Sequence, residues 1–338
     1  MKVCIVGAGA IGGYLAAELA NAGEDVTVIV RGANLAAIRR QGLQVTYSDG
    51  RETLTSAVRA TDRIADAGVQ DVVVLGMKAH QVAAVVPDLP ALLGPDTPVV
   101  TTQNGIPWWY FFKHGGEHEG RCLESVDPGG TIAAALGGDR VIGCIAYPAC
   151  EMREPGVVWH IEGTRFSLGE LDGAATVRIR ALSEMLRRAG FKAPVVSDIR
   201  DEIWLKLWGN SSFNPISALT HATLEDICRF PATRSLAANI MTEARTIAEK
   251  LGVRFKVTLD KRIAGAEAVG PHKTSMLQDI EAGRPIELEA LVGSVLELGR
   301  ITDTPAPALE AVYACTALLA RTAAAAGARV RVEPLRAP

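Results

Sequence analysis

An excess of either charge is missing from this chain: 338 residues carry 35 Lys and Arg against 38 Asp and Glu, a formal net charge of -3. Its arginines are scattered, so there is no basic footprint for a nucleic-acid backbone, and nucleic acid is not an expected partner. Cys-x-x-Cys spacing is also missing. Cys4, Cys122, Cys144, Cys150, Cys228 and Cys315 lie far apart, in a chain large enough to need no covalent staples, which fits a reducing cytoplasm. The opening residues MKVCIVGAGAIGG reach glycine after a short apolar run, so neither a signal-peptide core nor a membrane span is expected to begin there. An Ala-rich run near Ala323 reads as part of a helix, and no membrane partner is expected. Internal repeats and low-complexity tracts are absent. What is present, 48% hydrophobic and 22% charged residues, describes an ordinary globular protein able to bury a large core in more than one domain.

The first motif stands at the amino terminus. Lys2 to Val6 reads as a buried strand, and GAGAIGGYLAAELANAG follows with glycines and then helical periodicity. This is G-x-G-x-x-G in the context it requires: Gly7 for the tight turn, Gly9 for approach of a pyrophosphate to the backbone, and Gly12 for close packing of helix on sheet. The helix start at Ala10 and Ile11 offers N–H groups to phosphate. A second strand, EDVTVIV, ends at Arg31, where an enzyme using NAD would place Asp or Glu on the ribose hydroxyls. A guanidinium there suits a 2′-phosphate and points to NADP(H).

The sheet is expected to continue through Asp71 to Lys78 and Thr97 to Gly105, with the helical HQVAAVV between them. Gln44 to Asp62 reads as a hairpin turning at Asp49-Gly50. Lys78 and Asn104 both fall just past strand carboxyl ends, the edge where an open α/β sheet binds ligand. The competing reading is a surface lysine and an Asn-Gly turn. VIGCIAYPA, GVVWHIEG and TRFSLGE read as further strands, and AGFKAPVVSD as a last one. His114, His118 and Cys122 recur at helical spacing, yet Gly115, Gly116 and Gly120 oppose a helix and a fourth ligand is missing, so no metal is expected. His160 reads as a local hydrogen-bonding group within a strand.

From about Ser197 the patterns become helical: Asp201 to Ala218, Arg234 to Leu251, Pro285 to Gly299 and Ala306 to Ala326. The expected fold class is therefore α/β, a Rossmann-type dinucleotide-binding domain over 1–197 followed by an all-α domain over 198–338, with an active site in a cleft between them. In DEIWLKLWGNSSFNP, Lys206, Asn210 and Asn214 form one stripe on a helix that is otherwise apolar. Such a stripe faces either a bound ligand or solvent, with Glu202 as a structural partner for the lysine. Pro215 biases Asn214 away from α geometry. Further on, Ser275 precedes a short helix, and Glu287 lies in a first helical turn, where the dipole alone favours a carboxylate.

Taken together, GAGAIGG, Arg31, MKAHQ, QNG, WLKLWGNSSFNP, TSMLQDI and GRPIELEAL resemble, in order and spacing, the ketopantoate reductase (2-dehydropantoate 2-reductase) family over nearly the whole chain. The resemblance implies an NADP-dependent oxidoreductase of pantothenate biosynthesis that reduces a 2-keto acid to a 2-hydroxy acid. It implies Lys206 as the catalytic lysine and Glu287 as a second catalytic residue that also faces the cofactor. Asn210, Asn214 and Ser275 are implied as substrate-binding residues, and Lys78 and Asn104 as neighbours of the nicotinamide, with Asn104 touching substrate as well. Gly7, Gly9, Ala10, Ile11, Gly12 and Arg31 complete the implied cofactor site.

Two features depart from the family pattern. The loop after QNG is long and aromatic (Trp108, Trp109, Tyr110, Phe111, Phe112), suited either to a larger or more apolar keto acid or to the interface of a homodimer. HATLED, after Pro215, lacks an additional asparagine. Alternatives to ketopantoate reduction are thus the same machinery acting on another keto acid and a non-catalytic NADP-binding sensor.

Overall fold

Short runs of Val, Ile and Leu, bounded by glycine or proline, build the strands of the amino-terminal half, because branched side chains buried on both faces suit a parallel sheet. The computed structural model describes residues 1–333, and positions 334–338 of the expected helical domain lie outside the described residues. Two compact units divide the chain, Met1–Ile199 and the part from Arg200 onward. The first unit runs β1 (Lys2–Val6), α1 (Ala10–Asn21), β2 (Asp25–Ile29), α2 (Gly32–Gln41), β3 (Leu43–Tyr47), β4 (Glu52–Thr55), β5 (Arg59–Thr61), β6 (Val72–Leu75), β7 (Val99–Thr101), α3 (Thr131–Leu136), β8 (Val141–Ala146), β9 (Ala149–Glu154), β10 (Val157–Glu162), β11 (Phe166–Glu170) and α4 (Val177–Arg188).

Among the described residues the main sheet has seven strands in the order β11-β8-β7-β6-β1-β2-β5. All neighbours are parallel except the antiparallel pair of β8 and β11. From β1 the chain builds outward through β2 and β5, then returns to β6 on the other side of β1. The crevice beyond the carboxyl ends of β1 and β6 is thus the topological switch point, where such sheets bind ligands.

A second sheet, ordered β4-β3-β10-β9, covers α1. The helix is therefore buried nearly all round, and a Cβ on Gly13 would lie 2.8 Å from Val158 Cγ2 on β10. The hairpin around Asp49-Gly50 is present as β3 and β4, closed by Gly50 N donating to the Tyr47 carbonyl. Its far end is not part of it: Arg59–Thr61 crosses to the main sheet and pairs with β2.

Two other expectations are corrected. HQVAAVV forms no α-helix; 3-10 turns at Ala79–Gln81 and Val86–Leu92 replace it, because Pro87 and Pro90 remove the N–H donors an α-helix needs. AGFKAPVVSD makes isolated bridges to Arg165 and Leu168 in place of a strand, Pro194 offering only its carbonyl, to Leu168 N at 2.9 Å. The helix α4, capped by Thr176, was not anticipated.

The second unit continues with α5 (Ile199–Thr220), which starts on the last residue of the first. It then runs through α6 (Leu224–Arg229), α7 (Pro231–Lys250), α8 (Leu259–Ala268), α9 (Ser275–Ala282), a π-helical turn at Glu289–Gly293, α10 (Ser294–Ile301) and α11 (Pro307–Ala325). Hydroxyl caps start several of these: Thr223, Thr258 and Thr274 each accept from a backbone N–H three residues on, satisfying a donor the helix leaves open. The Glu243 carboxylate on α7 accepts from Ala308 and Leu309 N at 2.9 Å each and so fixes the start of α11. By length and composition alone α11 could cross a membrane; it packs on α7 and the π turn.

Candidate active site

The glycine turn is shaped by contacts that admit no side chain. Gly7 has φ +99°, in the region that favours glycine, and a Cβ on it would sit 2.8 Å from Met77 N. A Cβ on Gly12 would lie 2.0 Å from the Gly7 carbonyl oxygen, so α1 rests directly on the turn. Around Gly9 the space is open, with nothing within 4 Å of the Cβ position. The first intrahelical bond runs from Gly13 N to Gly9 O at 2.7 Å, and no side chain caps Gly9. The N–H groups of Ala10, Ile11 and Gly12 precede that bond, have no helical acceptor and are available to an anion. A backbone cradle left open by glycine, at a helix start with no acidic residue in its first turn, fits a dinucleotide pyrophosphate.

Asn34, on the first turn of α2, secures this loop from outside. Its side-chain amide donates to the Ala8 carbonyl at 2.8 Å, while its carbonyl oxygen accepts from Gly156 N at 2.7 Å. Gly76, after β6, completes the approach: a Cβ there would lie 2.7 Å from the Gly7 oxygen. Neither residue was singled out from sequence; LGMK, a glycine directly after a strand, was the available signal for Gly76.

Arg31 is exposed at the N-cap of α2, directly after β2. No carboxylate stands there. Lys78 follows β6, half-buried, at the start of a 3-10 turn in which Gln81 N donates to its carbonyl at 2.9 Å. Asn104 follows β7, half-buried, before Gly105 at φ +89°. The ends of β6 and β7 are adjacent, Leu75 opposite Thr101. Gln103 fastens them, its amide donating to the carbonyls of Leu75 and Met77 at 2.7 and 3.0 Å.

The aromatic loop turns inward. Trp109, Tyr110 and Phe111 are at most 1% exposed, and the Trp109 indole donates to Thr101 Oγ1 at 2.8 Å. Side chains so enclosed neither line an open pocket nor form a subunit interface, so both expectations for them are replaced by a structural role in the first unit. His114 packs edge-on and His118 tilted against Phe111, and Glu119 accepts from Lys113 N and Gly115 N. No group of three or more His, Cys, Asp or Glu able to hold a metal occurs among the described residues. His160 lies 2.6 Å from the carbonyl of Gly163, just past the end of β10, a local contact. Burial pushes the Cys4 and Cys150 thiols up to about 12, which leaves them unreactive.

In the second unit α5 continues through Pro215 without interruption. Asn214 is therefore helical and 5% exposed, contrary to the expected bias of a residue before proline; close packing around α5 holds the geometry. Lys206 and Asn210 are half-buried on the same stripe, as the helical repeat dictates. The opposite side is anchored by Trp204 and Trp208, both fully buried, with the Trp208 indole donating to the Met241 carbonyl at 2.6 Å.

Ser275 is the first residue of α9 rather than its predecessor, because Thr274 takes the cap and accepts from Leu277 N. Its side is exposed. The start of α6 is joined to the chain before α9 by Leu224 N donating to the His272 carbonyl at 3.0 Å, and His221 stands 3.6 Å from Glu281 on α9. Glu287 is half-buried two residues before the π-helical turn, with its carbonyl accepting from Leu291 N at 3.1 Å. The turn that follows is π-helical, a form often found at functional sites. Glu289 folds over Gly293 there and accepts from the Tyr313 hydroxyl at 2.7 Å, and burial together with that bond pushes the phenol up to about 12.

Residues 3–173 match the family described as ketopantoate reductase PanE/ApbA, and residues 198–320 match its C-terminal family. A 2-dehydropantoate 2-reductase from Mesorhizobium japonicum is 53% identical over 95% of this chain and 98% of its own. Another from Pyrococcus horikoshii is 30% identical over 91% of this chain and 93% of its own. Among solved structures, a ketopantoate-reductase-like protein from Ralstonia solanacearum MolK2 superposes with a TM-score of 0.90 at 39% identity, over 96% of this chain and 98% of that one. The α/β first half and helical second half are the architecture of these relatives, and the chain belongs to the ketopantoate reductase family.

Proposed function

We propose that this protein reduces 2-dehydropantoate (ketopantoate) to pantoate with NADPH, as a cytoplasmic enzyme. In this reading residues 1–197 make most of the cofactor contacts, and 198–338 carry the acid and most of the substrate contacts. The observation that carries it is the lysine and two asparagines on one stripe of an otherwise buried helix, in a chain 53% identical to a 2-dehydropantoate 2-reductase. Bound NADPH supplies a hydride to the keto carbon. The amides of Ala10, Ile11 and Gly12 bind its pyrophosphate, and Arg31 binds the 2′-phosphate through charge-assisted hydrogen bonds. Lys78, Asn104 and Glu287 border the nicotinamide.

As the keto oxygen gains negative charge, the Lys206 ammonium stabilises it and gives it a proton, and solvent returns one to the amine. Asn210, Asn214, Asn104 and Ser275 donate to substrate oxygens and fix which face of the carbonyl is attacked. The test follows NADPH absorbance with ketopantoate and a panel of other 2-keto acids. Ketopantoate should give the highest kcat/KM. A better substrate from the panel would move the assignment to that acid, and turnover with none would leave a cofactor-binding sensor.

A further inference from the structure

Gly209 lies in the buried middle of α5, where glycine weakens a helix relative to alanine. The space its missing side chain leaves is filled. A Cβ on Gly209 would stand 2.3 Å from Nη2 and 2.9 Å from Cζ of Arg262, so the guanidinium of α8 lies directly against the α5 backbone. Residues three apart on a helix have Cβ positions about 5–6 Å from each other, which makes Gly209 the neighbour of Lys206. The bare spot at Gly209 thus seats a second cation beside the proposed acid. Arg262 is half-buried.

We propose that Arg262 is a further substrate-binding residue, whose N–H groups take the carboxylate of the 2-keto acid. This rests on the reduction proposed above. In a 2-keto acid the carboxylate is bonded directly to the keto carbon, so a cation seated against the helix three residues from Lys206 suits the second oxygen-bearing group. Their chemistries divide the work. A guanidinium does not give up its proton in proteins and pairs with carboxylate through a planar fork, whereas an ammonium can be a proton donor. Arg262 anchors and Lys206 protonates.

The test uses the full-length protein with NADPH and its best keto acid. Arg262→Ala should raise the KM for the keto acid about 10- to 100-fold, the range for losing hydrogen bonds to a charged group, while the KM for NADPH stays within twofold. Added guanidinium should restore part of the loss in Arg262→Ala and none in Lys206→Ala. Gly209→Ala, which improves helix propensity but occupies the guanidinium seat, should raise the same KM. If Arg262→Ala does not fold, Arg262→Gln keeps the stem and is read in the same way. An unchanged keto acid KM in a folded Arg262 variant overturns the proposal. So does a loss confined to kcat with a shifted pH profile, which would mean that Arg262 acts only through Lys206. A wild-type protein that reduces no 2-keto acid fails earlier and sinks the reduction itself.

Discussion

Arg31 stands at the tip of β2, where a carboxylate would favour the free ribose hydroxyls of NAD, and its exposure at the start of α2 leaves the guanidinium open to a phosphate. Arg31→Ala should therefore raise the KM for NADPH about 10- to 100-fold, the scale of charge-assisted hydrogen bonds, and leave the KM for NADH nearly unchanged. Steady-state kinetics with both cofactors check this, and an unaltered NADPH to NADH preference would remove the role. The placement of Arg31, the glycines and Lys206 was legible in the sequence because each depends on local context: a motif, a strand end, a helical stripe. Asn34, Gly76, Gln103 and Arg262 were not. Each acts on a segment remote in sequence, as Asn34 does in joining Ala8 to Gly156, and no local pattern records such a partner.

At the scale of elements, the turn between β1 and α1 is set by backbone lying on backbone. Gly12→Ala would place a methyl 2.0 Å from the Gly7 oxygen, a clash with backbone that no side-chain rotation relieves. The variant should lose about 1–3 kcal/mol of stability, the usual cost of overpacking, and bind NADPH more weakly. Denaturant unfolding and fluorescence titration measure the two effects, and wild-type values in both would contradict this account of the turn. Hydrophobic periodicity located most helices and strands, but their variants escaped it. The 3-10 turns around Pro87 and Pro90, the unbroken passage of α5 through Pro215 and the π turn after Glu287 depend on packing or on one residue's missing donor. Periodicity carries neither.

For the molecule as a whole, the change from β-rich to helical pattern along the chain made the α/β and all-α halves readable. The second sheet was not readable. Its β3 pairs with β10, Gln44 opposite Val157, and the sequence between them gives no sign that the hairpin leaves the main sheet. The aromatic loop misled for a related reason: a run of five large rings looks like a surface for a partner, whereas Trp108, Trp109, Tyr110 and Phe111 are buried. The most direct test is a single-turnover comparison of wild type and Lys206→Ala with saturating NADPH and ketopantoate, with NADPH affinity measured separately. The account predicts that the rate falls about 10²- to 10⁴-fold, the contribution of a general acid, while NADPH affinity changes little. Oxidation of NADPH at an undiminished rate by Lys206→Ala would contradict it.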